Sequence, residues 1–469
     1  MANKYITTPI YYVNDIPHIG HAYTTIAADV LNRYYKQRGD ESYFLTGTDE
    51  HGAKIAEAAK NSGQNPKDFV DGLVPHFKSA WKLLNVGYDG FIRTTDKGHE
   101  KVVLEFIEKL KENGFIEKRK YEGNYCVGCE KFVTDDDLKD GKCPDHGKEP
   151  IKHSEENYFF LLSKLEKKLL EIIESDKYEI RPESRKKEIV GKIKQGLDDV
   201  SISRQAVDWG IKFPGDDTQT VYVWVDALIN YYSATTYMKD APSWPASLHI
   251  IGKDILWFHA VIWPAMLLAI KKDLPKKLFA HGFFTIGGKK MSKTLGNAID
   301  PSILVKKFGA DAVRYAILRE FPFGEDGDIS EEKIKERYRN DLGNEVGNLV
   351  QRTLSMIVKY DAKIKKRETL KCGSDSCINR HIENLEFDRA LEKLWGCARK
   401  QNKLIDDKKP WELAKAGDVE KLKSVLQSVY DFLVIFSEQI APFMPTTSSK
   451  IKKQLKELKP EPLFPRLEG

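Results

Sequence analysis

The sequence predicts an α/β protein: a split, doubly wound (Rossmann-like) parallel sheet, interrupted by a cysteine-bearing insertion and followed by an α-helical bundle. Three observations predict it. Strand-like and helix-like stretches alternate over residues 1–116 and again over 218–325, the βαβ rhythm of a parallel sheet. Between them, residues 117–217 break the rhythm and carry a cysteine cluster. Over 326–469 the strands disappear and helical periodicity takes over. At 469 residues the chain exceeds one ordinary core, so several domains are expected.

In the first half, β-rich Tyr5 to Tyr12 leads through Asn14-Asp15-Ile16-Pro17 into a helix. Ala22, Ile26, Ala27, Val30, Leu31 and Tyr34 share one side of it, and Gly39 stops it. A second strand, Ser42 to Thr46, ends in Thr48-Asp49-Glu50-His51-Gly52. Helical segments follow near Ala53 to Asn61, Pro66 to Leu84 and Glu100 to Glu112, with Phe91-Ile92-Arg93 as a short strand. In the insertion a lysine-rich helix is expected near Ser163 to Ser175. The sheet resumes at Thr220 to Val225, with Leu248 to Ile251 a strand, Ile255 to Ile270 a helix and Lys277 to Ile286 a strand. Amphipathic helices are expected at Glu331 to Tyr360, Asn379 to Leu404, Trp411 to Ala416 and Leu422 to Glu438.

Composition excludes some classes. Met1 to Tyr12 has no apolar signal region, and the longest apolar stretch, Ile255 to Ile270, is too short to span a bilayer and contains His259. A net charge of +5 permits a nucleic-acid partner without arguing for one. Cys372, Cys377 and Cys397 stand outside the cluster. Such usage points to a reducing compartment, the cytoplasm, and one metal site, not a disulfide framework.

That metal site is spelled Cys126-Val127-Gly128-Cys129 and Cys143-Pro144-Asp145-His146, a Cys-x2-Cys-x13-Cys-x2-His pattern. Two knuckles of this kind can meet in a tetrahedral zinc site with no position left for water, hence a structural role. His153 competes with His146 as the fourth ligand but lies farther from Cys143.

Two short motifs carry the chemistry. His18-Ile19-Gly20-His21 opens the first helix, where backbone N–H groups and the helix dipole favour phosphate. Lys290-Met291-Ser292-Lys293 follows a late strand between Gly287-Gly288 and Leu295-Gly296-Asn297. Together they form a two-sided cationic clamp suited to a nucleoside triphosphate, where positioning and charge neutralisation supply most of the rate. Asp49 ends one strand and can pair with a ligand ammonium or cap the next helix. Asp254 follows Gly252 at another strand end, as suits ribose hydroxyls. Arg204 is a further candidate charge near the reacting groups.

With both motifs placed, the chain resembles class I aminoacyl-tRNA synthetases, and among them the methionyl family. The resemblance runs over essentially the whole chain. It includes Thr7 to Asn14, Thr46 to Gly52, Ser201 to Arg204, Tyr222 to Leu228 and Gly252 to Ile255. It implies a nucleotide-binding sheet domain split by a connective insertion, then a helical anticodon-binding domain. It further implies that methionine and ATP, with Mg2+ carried by the nucleotide, give methionyl-adenylate, and that the methionyl group passes to the 3′ end of tRNA(Met).

By the same resemblance His18, His21, Lys290 and Lys293 are catalytic, and Gly20, Gly252 and Asp254 join them around ATP. Asp49 takes the methionine ammonium. Pro9, Ile10, Tyr12, Trp224, Ala227, Leu228, Tyr231, Ile255 and His259 form the side-chain pocket, whose apolar, aromatic character suits a polarizable thioether. Several of these read equally well as ordinary core. Asn348 and Arg352, on one helix face, and Trp411, after Lys408-Lys409-Pro410, match anticodon-reading positions. Trp411 alone reads as a core residue. The missing C-terminal dimerisation domain of many relatives makes a monomer the expected state. Three rival readings are a synthetase for another apolar amino acid, a small-molecule adenylyltransferase and an inactive tRNA-binding paralogue.

Overall fold

The computed structural model describes residues 3–127, 131–133, 135–144, 147–205, 207–286, 289–290, 299–370 and 378–467, and at residues 121, 122, 131, 132, 136, 153, 155, 286, 289 and 290 the backbone alone. Its centre is a six-stranded sheet of β1 (Asn3–Tyr12), β2 (Glu41–Asp49), β3 (Gly90–Arg93), β4 (Glu179–Arg181), β5 (Leu248–Gly252) and β6 (Lys277–His281). The order is β3-β2-β1-β5-β6-β4 and every pairing is parallel. The chain winds outward from β1 in both directions, so a crevice opens beyond the carboxyl ends of β1 and β5.

Local sequence shapes that crevice. Thr7 pairs with Leu45 and Ile10 with Gly47, so β1 carries one residue more than β2 between these pairs. The extra residue is a bulge beside Pro9, which has no N–H to lose from the ladder. Helix α1 (Ile19–Gln37) begins directly after β1, and its buried side includes Ala22, Ile26, Ala27, Val30, Leu31 and Tyr34, as the periodicity requires. Helix α2 (Ala53–Asn61) starts at Gly52, whose φ of 106° is a conformation that side chains resist.

Some elements differ from the sequence reading. The stretch Thr220 to Val225 is not one strand. Asp216–Val221 pairs antiparallel with Ser203–Arg204 and Lys212–Phe213 in a separate three-stranded sheet, and helix α4 (Val223–Tyr237) begins at once. Burial on several sides overrides the β-propensity of this β-branched and aromatic run. The stretch Lys277 to Ile286 is likewise two strands. β6 ends at His281, and Phe284–Ile286 joins Lys289–Lys290 and Gly327–Asp328 in a small sheet. Strand β4 comes from within residues 117–217 and forms the outer edge of the six-stranded sheet. The rest of that stretch includes a four-stranded antiparallel sheet of Ile116–Cys126, Lys131–Val133, Ile151–Phe160 and Val200–Ser201. Helix Glu166–Glu174 lies where the lysine-rich helix was expected.

Beyond the small sheets the chain is helical. Helix α3 (Lys97–Glu112) packs against α4 in the sheet domain. Later come α5 (Ala310–Arg319), α6 (Asn348–Lys359), α7 (Phe387–Lys408), α8 (Pro410–Lys415), α9 (Val419–Gln439) and α10 (Pro445–Glu457). Glu331 to Lys359 is a continuous rod that widens to π-helical turns over Tyr338–Gly347. One hydrophobic core runs from Ile6 through α1 to Leu463. At its heart the buried Arg314 of α5 meets Asp29 of α1 at 2.7 Å. Its remaining donors reach the carbonyls of Phe443 at 2.7 Å and Pro442 at 2.9 Å. A buried charge pair this well satisfied is costly to break from either side. No helix among the described residues is long and apolar enough to cross a membrane.

Candidate active site

A cavity of about 440 Å³ lies at the carboxyl ends of β1, β2, β5 and β6. It brings together His18, Gly20 and His21 from α1, Asp49 from β2, and Gly252 and Asp254 from the end of β5. Pro9, Ile10 and Tyr12, then Trp224, Ala227, Leu228 and Tyr231 of α4, and Ile255 and His259 complete the predicted set on its walls.

The histidine motif is organised by its own backbone. His18 caps α1, and its Nδ1 accepts the Gly20 N–H at 3.1 Å. The His18 N–H in turn donates to His21 Nδ1 at 3.3 Å, and the two rings stack at 3.8 Å between centroids. A ring nitrogen that accepts an N–H carries no proton, so each neutral imidazole holds its proton on Nε2. Both rings are thereby set as N–H donors at the positive end of a helix. Tyr11 supports them from below, its hydroxyl 2.6 Å from Thr25 Oγ1, and burial pushes its pKa up to about 12.

The other end is mostly apolar and aromatic. His259 is buried, and burial brings its pKa down to about 4. Neutral, it donates from Nδ1 to the Ile255 carbonyl at 3.0 Å, which leaves Nε2 to accept the Tyr231 hydroxyl at 2.8 Å. Trp224 stacks flat on Phe258, 4.1 Å between centroids. Gly252 permits the close approach of Asp254, whose Oδ1 would stand 2.5 Å from a Cβ at that position.

The residues around Asp49 divide the labour. Glu50 is buried and accepts Arg93 Nε and Nη2 at 2.7 and 2.8 Å, and the hydroxyls of Thr48 and Thr95 at 2.6 Å. It is a structural carboxylate. Asp49, one position earlier in the strand, lines the cavity.

Sequence reasoning missed Lys54 in the first turn of α2, which lines the same cavity and is its one lysine or arginine among the described residues. A single lysine at a helix start has no spacing signal to find it by. It also missed His281, which closes the cavity between Thr24 at 2.6 Å and the Gly282 carbonyl at 2.7 Å. Arg204 does not line the cavity: it is buried, bonded to the Ser201 hydroxyl at 2.9 Å and the Ser203 carbonyl at 2.7 Å, over the Tyr222 ring.

Lys293 lies outside the described residues, and Lys290 is described for its backbone alone, paired with Thr285. Cys129 and His146 also lie outside them. Cys126 and Cys143 are buried together with Val133 in a small cluster of their own. Cys126 ends one arm of a hairpin, and the Gly147 N–H donates to the Cys143 carbonyl at 2.7 Å. No group of three or more histidine, cysteine, aspartate or glutamate side chains among the described residues forms a metal cluster.

In the helical part, Asn348 is exposed at the start of α6, and Arg352 pairs with Asp406 of α7 at 2.8 Å. Trp411 is half-buried on α8, which is entered through Lys409 at a φ of 44°.

Comparison with known proteins agrees with this geometry. The family model for tRNA synthetases class I (M) matches residues 4–149 and 135–354. A methionine–tRNA ligase of Caldanaerobacter subterraneus subsp. tengcongensis is 45% identical, over 96% of this chain and 73% of its own. One from Rickettsia conorii is 42% identical, over 99% of this chain and 94% of its own. Among solved structures, Mycobacterium tuberculosis methionyl-tRNA synthetase in complex with methionyl-adenylate matches with a TM-score of 0.90 at 36% identity, over 99% of this chain and 100% of that one. The chain belongs to the class I tRNA synthetases, in their methionyl (M) family.

Proposed function

We infer that this chain is a methionine–tRNA ligase. It activates methionine with ATP to methionyl-adenylate and pyrophosphate, then transfers the methionyl group to the 3′ end of tRNA(Met). The observation that carries the reading is one cavity joining an aromatic-rich pocket to a helix start furnished with two N–H-donating imidazoles.

The chemistry follows from charge. A carboxylate attacks an α-phosphate that is itself anionic, so the site must neutralise both and hold them in line. His18 and His21 donate through Nε2 to the triphosphate, beside the Gly20 amide. Lys54 adds positive charge from the first turn of α2, and Lys290 and Lys293 add theirs from the loop as charge develops on the departing pyrophosphate. Asp49 takes the methionine ammonium. Asp254 accepts from the ribose hydroxyls. Mg2+ travels with ATP and spreads the phosphate charge.

The thioether lies among Pro9, Ile10, Tyr12, Trp224, Ala227, Leu228, Tyr231, Ile255 and His259. A neutral His259 there offers no charge to a ligand that has none at that end. One methylene is worth only ~1–3 kcal/mol in such a pocket, so homocysteine is a natural intruder.

Cys126, Cys129, Cys143 and His146 would hold one structural zinc. The donor set and the burial of Cys126 and Cys143 in one small cluster fit that ion. In the helical domain, over 326–469, Asn348, Arg352 and Trp411 read the anticodon. The use of cysteine as thiol and metal ligand fits the cytoplasm. Pyrophosphate exchange dependent on methionine, followed by charging of tRNA(Met), tests the whole reading.

A further inference from the structure

Behind the cavity lies a polar cluster that touches no cavity surface. Asp226 of α4 is 1% exposed. Its Oδ2 is 2.7 Å from His51 Nδ1 and its Oδ1 is 2.7 Å from His99 Nε2. His99 Nδ1 continues to the Ser233 hydroxyl at 2.7 Å. Both histidines and Ser233 are buried. Two histidines thus share one carboxylate, and with Ser233 the four side chains come from three separate elements: the turn after β2, helix α3 and helix α4.

Burying a carboxylate is costly unless every lone pair is used, and an apolar side chain of the same shape would pack here with less cost. What the charge supplies is direction. Each oxygen of Asp226 has its own donor, so neither histidine can shift without leaving a buried charge half-satisfied. His51 is fixed from its other side as well. The Gly52 N–H donates to the Trp209 carbonyl at 3.0 Å, Trp209 Nε1 donates to the Glu50 carbonyl at 2.6 Å, and its ring meets His51 edge-on.

The two ends of this clamp are the two recognition surfaces for the amino acid. His51 follows Asp49 along the chain by one intervening residue, and Asp226 lies within the helical run that presents Trp224, Ala227, Leu228 and Tyr231 to the cavity. We propose that Asp226, gripped by His51 and His99, is a positioning residue for methionine: it fixes the separation between the Asp49 carboxylate and the side-chain wall of α4. The proposal rests on Asp49 and that wall being the methionine site. The nucleotide is held chiefly by α1 and β5, which the clamp does not join; only Lys54, three residues beyond His51, ties the clamp to it, so the effect on ATP is the smaller one.

The test is steady-state pyrophosphate exchange on the intact protein. Asp226→Asn keeps the shape but removes the charge and offers one acceptor and one donor, so one histidine must either change tautomer or give up its bond. The expected result is a rise of about tenfold in KM for methionine, with KM for ATP within about twofold and kcat little changed. Conservative replacement should rescue: His51→Asn keeps a donor at the Nδ1 position and His99→Gln one at Nε2, whereas His51→Leu and His99→Leu keep neither. If Asp226→Asn does not fold, these pairs carry the same reading. Equal shifts in both KM values, or a loss of melting temperature with no change in their ratio, would make the clamp a stabilising element only and overturn the proposal. Failure of the wild-type protein to exchange with methionine would instead overturn the functional reading beneath it.

Discussion

The Ile19 amide donates to the carbonyl of Ile299 at 3.0 Å. One backbone bond thus joins the first turn of the histidine helix to the chain just past Lys290 to Lys293. The two motifs are distant in sequence, yet the segment leaving the lysine loop is anchored at the helix start that holds His18 and His21. The chain beyond the loop thus returns to the helix start at which the triphosphate is proposed to bind.

Lys293→Ala should therefore slow adenylate formation by about 10²–10³-fold, the scale of losing one charge-stabilising donor, while methionine affinity changes little. Lys54→Ala should raise KM for ATP or lower kcat by a smaller factor, because its charge is present throughout. Single-turnover adenylation with separate titrations of each substrate measures both. A near-normal rate in Lys293→Ala would remove the loop from the chemistry.

Chelator-washed protein should retain one zinc per chain, and Cys126→Ser with Cys129→Ser should lose it along with local stability. Metal binding and folding are coupled at structural sites, so limited proteolysis within residues 117–217 should quicken in step with metal loss. Full zinc retention in the double variant would place the metal elsewhere.

The buried histidines give a pH signature with a definite sign. The folded-state pKa of His259 is lowered by burial to about 4, against an ordinary value near 6.5. Its contribution to stability is complete above pH 6.5 and is lost as pH falls toward 4, because the unfolded chain takes up the proton first. His249 and His281 are lowered by burial too and act in the same direction. His51 is raised: burial opposes its charge, but the Asp226 carboxylate prevails, so its contribution is lost as pH rises past its folded value. A comparison of His259→Gln with wild type isolates one group. The wild-type stability curve should be steeper between pH 4 and 6.5, by at most about 1.4 kcal/mol per pH unit. Parallel curves would mean that His259 takes up its proton as readily in the folded protein as in the unfolded chain.

Trp411→Ala should leave methionine-dependent exchange intact and reduce aminoacylation, since a base stacked on an aromatic ring is worth ~1–3 kcal/mol. Its half-buried position is compatible with a ring that packs by one edge and offers the other. Joint loss of exchange and charging would make it a core residue.

Much of the site was legible because its residues sit in motifs whose chemistry constrains the backbone as well as the side chain. His18-Ile19-Gly20-His21 announces a helix start, and Thr48 to Gly52 a strand end and sharp turn. The misreadings have a common cause. Tyr222 to Tyr232 is β-branched and aromatic, so only burial from several sides could reveal that a helix begins at Val223. Glu179–Arg181 is too short to carry a period, and its place at the sheet edge depends on Lys277–Phe279, distant in the chain. Arg204 was read as a charge near the reacting groups, and its bonds to two serines and its place over a tyrosine ring are tertiary features that the sequence does not spell.

The central claim is that this cavity selects methionine and adenylates it. ATP–pyrophosphate exchange with purified protein, run across the amino acids, measures that selection most directly. Exchange should be strongest with methionine, with homocysteine the nearest competitor. Stronger exchange with leucine, isoleucine or cysteine, or none with methionine, would contradict the account.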